Sequence, residues 1–176
     1  MKTHVQINNT VVEGKASPDD VFETLNKLNI LYKTHEHPAL FTVEESKALR
    51  GNLPGGHCKN LFLRGKKNDM WLLVCREDLK VDLKLLGVTL GGARLSFGSS
   101  DRLMRYLGVC PGSVSPFALI NDTQQMVKVV LDSGLMKFSL LNFHPLTNEQ
   151  TTSIAPNDLI RYIEACGHKA EILDLN

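Results

Sequence analysis

The segment Cys58–Cys75, CKNLFLRGKKNDMWLLVC, holds two apolar runs separated by a short polar stretch. Cys58–Arg64 and Met70–Cys75 have the length and the β-branched, aromatic and leucine content of strands, and Gly65–Asp69 is built of turn formers. Such a turn forces its strands to pair antiparallel, because parallel neighbours need a crossover of about a dozen residues or more. This hairpin sets the expected class: a sheet with antiparallel pairing at its centre.

Upstream, Ser17-Pro18-Asp19-Asp20 predicts a helix start, with a capping serine, a proline at the first helical position and acidic groups on the positive end of the dipole. Val21, Phe22, Leu25 and Leu28 form its apolar stripe. A strand is expected near Ile30–His35, ending at Pro38. Thr42 to Glu45 matches a capping box for a second helix, which Gly51 would stop. Asn52–His57, NLPGGH, reads as a loop.

Downstream, a short helix after Asp82 is expected to close at Gly87. A strand near Arg94–Phe97 leads to a helix capped by Ser99 or Ser100 and ended by Gly108. After the Gly/Pro-rich loop Val109–Pro116, a second hairpin, Phe117–Ile120 with Met126–Asp132, is expected across Asn121-Asp122, with more strand through Leu135–Phe143. Pro156 opens a last helix, stopped at Gly167, before a strand at Ala170–Leu175. The expectation is one mixed α/β domain: a curved, mostly antiparallel sheet with surrounding helices. Residues 1–16 read as an N-terminal arm and 17–176 as the domain.

The 176 residues, 43% hydrophobic and 22% charged, suit a globular fold with a sizeable core. A formal charge of +1 excludes the strongly basic footprint of a protein that coats nucleic acid, but not an enzyme that handles the end of one. The four cysteines, Cys58, Cys75, Cys110 and Cys166, form no CxxC pair, so they read as reduced thiols. The opening MKTHVQINNT lacks the apolar segment of a signal peptide, and no run is long enough to span a bilayer. A cytoplasmic protein without membrane partners is expected.

Three segments ask for more than a structural explanation. Along Gly55–Arg64, alternation puts Lys59 with Leu61 and Leu63, and Asn60 with Phe62 on the other face. A lysine on a leucine face must meet an anion or snorkel to solvent, and spacing alone does not choose. In Val109–Phe117, VCPGSVSPF, the backbone between Gly112 and Pro116 could point N–H groups at a ligand oxygen, though most such loops are only turns. In Asn142–Leu146, NFHPL, His144 precedes a proline, where it is either structural or a pocket residue. No HExxH, Walker loop or GxGxxG is present. Ser113 and Ser115 lack a nucleophile elbow. His35 and His37 share a strand face but have no third ligand, so neither metal nor cofactor is expected.

At these segments the chain resembles the YbaK/ProX family of prolyl-tRNA editing domains, above all its ProX branch. The resemblance runs through HEHPALFTVEESKALRG (35–51), LPGGHCKNLFL (53–63), RLSFGSSDRLMRYLGVCPGSVSPFALIND (94–122) and NFHPLTNEQTTSIAPNDL (142–159). It implies a deacylase that hydrolyses the ester between a wrong amino acid and the terminal adenosine of proline tRNA. It implies that Lys59 engages the tRNA end or positions the reacting ester, with Asn60 beside it in the same motif. Gly112 and Pro116 would cradle the aminoacyl carbonyl, with Ser115 in the same loop among the substrate-binding residues, and His144 would line the amino-acid pocket. The implied partners are the acceptor end of mischarged proline tRNA and prolyl-tRNA synthetase.

An editing site answers a physical limit, since a pocket made for proline rejects the smaller alanine by only about 1–3 kcal/mol. The expected substrate is alanyl-tRNA(Pro). The alternatives are a cysteinyl-tRNA(Pro) deacylase, as in the YbaK branch, and a non-catalytic module that senses tRNA or an amino acid.

Overall fold

The computed structural model describes residues 13–40 and 42–176. The first helix, α1 (Pro18–Lys27), starts as the sequence predicts. Ser17 and Asp20 make a reciprocal capping box, and Val21 and Leu25 are buried. Most of the expected N-terminal arm lies outside the described residues. Its last residues are tied down, Ala16 N–H donating to Asn121 Oδ1 at 2.8 Å and Lys15 Nζ to the Arg105 carbonyl at 3.2 Å.

Strand β1 (Tyr32–Glu36) leads to α2 (Val43–Arg50), whose Thr42–Glu45 capping box is also present. The central hairpin is β2 (Gly56–Arg64) and β3 (Met70–Arg76), paired antiparallel from Cys58↔Arg76 to Arg64↔Met70. Then follow α3 (Leu83–Thr89), β4 (Ser96–Phe97) and α4 (Ser100–Leu107), the last capped by Ser99 and closed by left-handed Gly108. The chain ends with β5 (Val127–Asp132), β6 (Leu141–Phe143), β7 (Gln150–Ile154), α5 (Pro156–Ala165) and β8 (Ala170–Leu173).

The sheet order is β1-β7-β6-β2-β3-β5-β8, with β4 attached to β2. Antiparallel pairings outnumber parallel ones, four (β1/β7, β6/β7, β2/β3, β2/β4) to three (β2/β6, β3/β5, β5/β8). The parallel pairings place β6 beside the start of β2, which brings the NFHP segment to the glycine loop. One sheet face packs against α1, α4 and α5 around Phe62, Leu72, Leu107, Phe117 and Tyr162. The other face carries a smaller core of Leu63, Trp71, Leu73, Cys75 and Leu86 of α3. β3 lies between both cores, which is why MWLLVC is apolar without alternation.

Three expectations need correction. The second hairpin does not form: Pro116–Asn121 is a 3₁₀ helix, because Pro116 fixes its first turn and Ser115 Oγ caps the Phe117 N–H at 3.2 Å. The long strand through Leu135–Phe143 shrinks to β6, and Ser133–Lys137 is another 3₁₀ turn, started by Asp132 accepting from Gly134 N–H. Gly87 does not end α3 but sits buried inside it. A Cβ there would come within 1.9 Å of the Ala93 carbonyl oxygen, so the glycine is a packing requirement.

Candidate active site

The loop before β2 and the start of β6 are joined by features that only glycine allows. Gly55 has φ +106°, and a Cβ on it would meet the Leu140 carbonyl oxygen at 2.7 Å. Gly56 donates its N–H to that same carbonyl at 2.8 Å. Asn142 then locks the loop: its Nδ2 donates to the Pro54 carbonyl at 3.0 Å and the Gly56 carbonyl at 3.4 Å, while its Oδ1 accepts from Ser153 Oγ at 2.6 Å. The side chain is buried and its amide is fully employed.

Beside this junction is a cavity of about 70 Å³, lined by Leu49 of α2, Leu53, Cys58, Asn60, Phe143, His144 and Thr151 among others. It lies between α2 and the adjoining ends of β2, β6 and β7. Asn60 projects from β2 toward it, and its Oδ1 is buried with no hydrogen-bond partner among the described residues. His144 follows β6, and its Nδ1 donates to the Gln150 carbonyl at 2.7 Å, which fixes the ring against the cavity. Asn60 and His144 thus line the same cavity.

The other expected residues surround this pair at different depths. Ser115 is fully buried, and its hydroxyl donates to the His144 carbonyl at 2.7 Å. Pro116 is buried at the head of the 3₁₀ helix. Gly112 is exposed, in a turn of Cys110-Pro111-Gly112-Ser113 closed by Ser113 N–H to the Cys110 carbonyl at 3.1 Å. Its φ of +94° is the left-handed third position of a type II turn, with Pro111 before it. Neither Gly112 nor Pro116 lines the cavity.

Lys59 is on the opposite face of β2 from Asn60. Its ammonium donates to the Leu79 carbonyl, at the edge of the smaller core. It faces Cys75 across the β2/β3 pairing, and burial pushes that thiol up to about 11, with the nearby ammonium pulling the other way. The lysine therefore meets neither of the partners weighed from spacing, an anion or open water alone, but a backbone oxygen.

Three residues of this region were not singled out as site residues from the sequence. Asn142 adjoins His144 in NFHP, yet an asparagine before an aromatic carries no pattern of its own. Thr151 sits in an ordinary Thr-Thr pair. His37 was weighed only as a metal ligand; it lies past the end of β1, with Nε2 at 2.9 Å from Thr151 Oγ1 and its ring 6.0 Å from that of His144. Among the described residues no three His, Cys, Asp or Glu side chains converge as a metal site, and no helix is long and apolar enough to cross a membrane.

Residues 37–162 match the family model described as the aminoacyl-tRNA editing domain. The chain belongs to this family. It is 36% identical over 156 residues to the prolyl-tRNA editing protein ProX of Acetoanaerobium sticklandii, covering 88% of this chain and 95% of that one. It is 38% identical to prolyl-tRNA synthetase associated domain-containing protein 1 of Danio rerio, covering 88% of this chain and 85% of that protein. The fold also matches a crystal structure described as a candidate trans-editing enzyme for prolyl tRNA synthetase. That match has a TM-score of 0.70, 20% identity, and covers 90% of this chain and 96% of the other. Editing an aminoacyl-tRNA is hydrolysis of its aminoacyl ester, so this editing domain is an aminoacyl-tRNA deacylase. The matched stretch contains the whole cavity lining together with Lys59 and the Gly112–Pro116 loop.

Proposed function

We propose that this editing domain acts in trans on proline tRNA mischarged with alanine. The observation that carries the reading is the size of the cavity beside Asn60 and His144, about 70 Å³. That is several times the roughly 10–15 Å³ one water needs and far below the roughly 300 Å³ at which sites for whole small molecules begin. It suits a small aminoacyl side chain, with the nucleotide left outside. Proline would be rejected by closure of the wall, since a methyl group offers no polar handle by which alanine could be chosen. The family membership and the relatives named for prolyl-tRNA editing support proline tRNA as the carrier.

The chemistry asks little of the protein. The ester is already activated, and a positioned water, which the neighbouring ribose hydroxyl can help orient, attacks its carbonyl carbon. As the ester C–O bond breaks, the ribose oxygen takes up a proton and the amino acid leaves as its carboxylate. Asn60 and His144 are assigned to the bound aminoacyl group. Lys59 is assigned to the terminal nucleotide, which its ammonium would take in exchange for the Leu79 carbonyl. Gly112 is assigned to the aminoacyl carbonyl through the open face of its turn, where donors stabilise developing negative charge. Ser115 and Pro116 are buried, and they are read as holding that loop to His144. The editing unit is taken as residues 17–176, with 1–16 as an arm, working in the cytoplasm beside prolyl-tRNA synthetase.

Incubating the purified chain with alanyl-tRNA(Pro) should release free alanine well above the spontaneous rate. His144→Ala should slow that release while keeping the fold. Release no faster than in buffer would reject the reading in favour of a binding module.

A further inference from the structure

Among the described residues, the cavity has two hydrogen-bond acceptors with nothing to accept from. The first is Asn60 Oδ1, buried and unpartnered among the described residues. The second is Thr151 Oγ1, and the reason lies in His37. His37 Nδ1 is 2.9 Å from the Pro38 carbonyl oxygen, which can only accept, so Nδ1 carries a proton. In the neutral ring Nε2 is then an acceptor, and at 2.9 Å from Thr151 Oγ1 it takes the threonine's only proton. The hydroxyl is thereby turned so that its remaining lone-pair capacity is what it can offer the cavity.

An unmet acceptor in a buried place calls for a donor, because burial has taken away the water that would otherwise bond to it. An aminoacyl ester carries a carbonyl oxygen and an ester oxygen, both acceptors, and one group of donors, the α-ammonium. The ribose hydroxyls and the adenine belong to the nucleotide, which the small cavity leaves outside. No Asp or Glu is among the described lining residues, so selection here rests on neutral acceptors. Resting on the deacylase reading above, we infer that Thr151 Oγ1, oriented by His37, and Asn60 Oδ1 form an acceptor pair that binds the α-ammonium of the aminoacyl group. Thr151 is then a substrate-binding residue and His37 a positioning residue. The site selects aminoacyl esters over isosteric hydroxyacyl or other uncharged acyl esters.

The test is calorimetric binding of two non-hydrolysable probes, adenosine bearing L-alanine through a 3′-amide, and the same compound bearing L-lactate. They differ only in ammonium against hydroxyl. The expected result is at least tenfold tighter binding of the alanyl probe by the wild-type chain. Thr151→Val should bring the ratio close to one, chiefly by weakening the alanyl probe, and Thr151→Ser should restore it. His37→Gln, at a half-buried position outside the core, should reduce the ratio if Thr151→Val does not fold. Equal wild-type binding of the two probes, or no measurable binding of either, would overturn the inference, as would an unchanged ratio in folded Thr151→Val. Parallel turnover with alanyl- and cysteinyl-tRNA(Pro) separates the two readings. Discrimination between probes without hydrolysis rejects the deacylase, and hydrolysis without discrimination rejects the acceptor pair.

Discussion

Lys59 and Asn60 are consecutive in β2 yet serve different layers, because neighbouring side chains of a strand point to opposite faces. Asn60 reaches the cavity directly. Lys59 lies on the other face, at the same strand end, where the Leu79 carbonyl occupies its ammonium. If the lysine takes the tRNA end, Lys59→Ala removes a charge-assisted contact of about 1.5–3 kcal/mol, or about 10- to 150-fold in kcat/KM. The melting temperature should change little, and near-native turnover in the folded variant would remove Lys59 from the site. Ser115→Ala tests the opposite kind of residue. It removes the acceptor of the buried Phe117 N–H and one of the two donors to the His144 carbonyl, the other being the Leu146 N–H at 3.0 Å, and should cost about 1–3 kcal/mol of stability by chemical denaturation.

The thiols report on pH. Burial pushes both Cys75 and Cys166 from the ordinary 9.0 up to about 11. A raised native pKa means stability that is fully present below the unfolded value and lost as pH rises through the native one. The melting temperature should therefore fall between pH 9 and 11, and less steeply in a variant lacking both thiols. Parallel curves for the two proteins would contradict this.

At the scale of elements, the best-read parts of the sequence were those with local chemistry. The capping boxes at Ser17 and Thr42, the β2/β3 turn and the left-handed stop at Gly108 each follow from neighbouring residues alone. The errors fall where a distant partner decides. Gly87 looks like a helix stop because glycine usually is one, but the Ala93 carbonyl folds back onto it and α3 continues. Gly87→Ala should accordingly destabilise by about 1–3 kcal/mol despite alanine's better helix propensity, a sign that thermal unfolding can check. Phe117–Ile120 is apolar enough for a strand, yet the Ser115 cap and Pro116 turn it into a 3₁₀ helix whose Phe117 packs edge-on to Phe143 and Tyr162. Gly112→Val tests the turn: a β-branched residue at φ +94° is strained although space is open there. Turnover should fall more than stability does if the turn's backbone faces the aminoacyl carbonyl.

For the whole molecule, the class of fold was legible because the hairpin, the helix caps and the apolar runs all agree on it. The parallel pairings were not, since nothing in β6 or β8 announces which strand it will join. That pairing is what builds the cavity: β6 beside the start of β2 lets His144 and Asn60 line it together, with Asn142 clamping the glycine loop. The resemblance pointed to His144 and Asn60, while Thr151 and His37 became visible only once β7 and the end of β1 were placed. The architecture leaves a small pocket beside Asn60 and His144, and the proposal of alanine as the group removed rests on its size. The most direct test is the initial rate of deacylation of proline tRNA carrying alanine, cysteine or proline, measured with one preparation of the chain. The expected order is alanine first, cysteine clearly slower and proline at the spontaneous rate. A faster rate on cysteine, or removal of correctly attached proline, would contradict a pocket that selects alanine by closure.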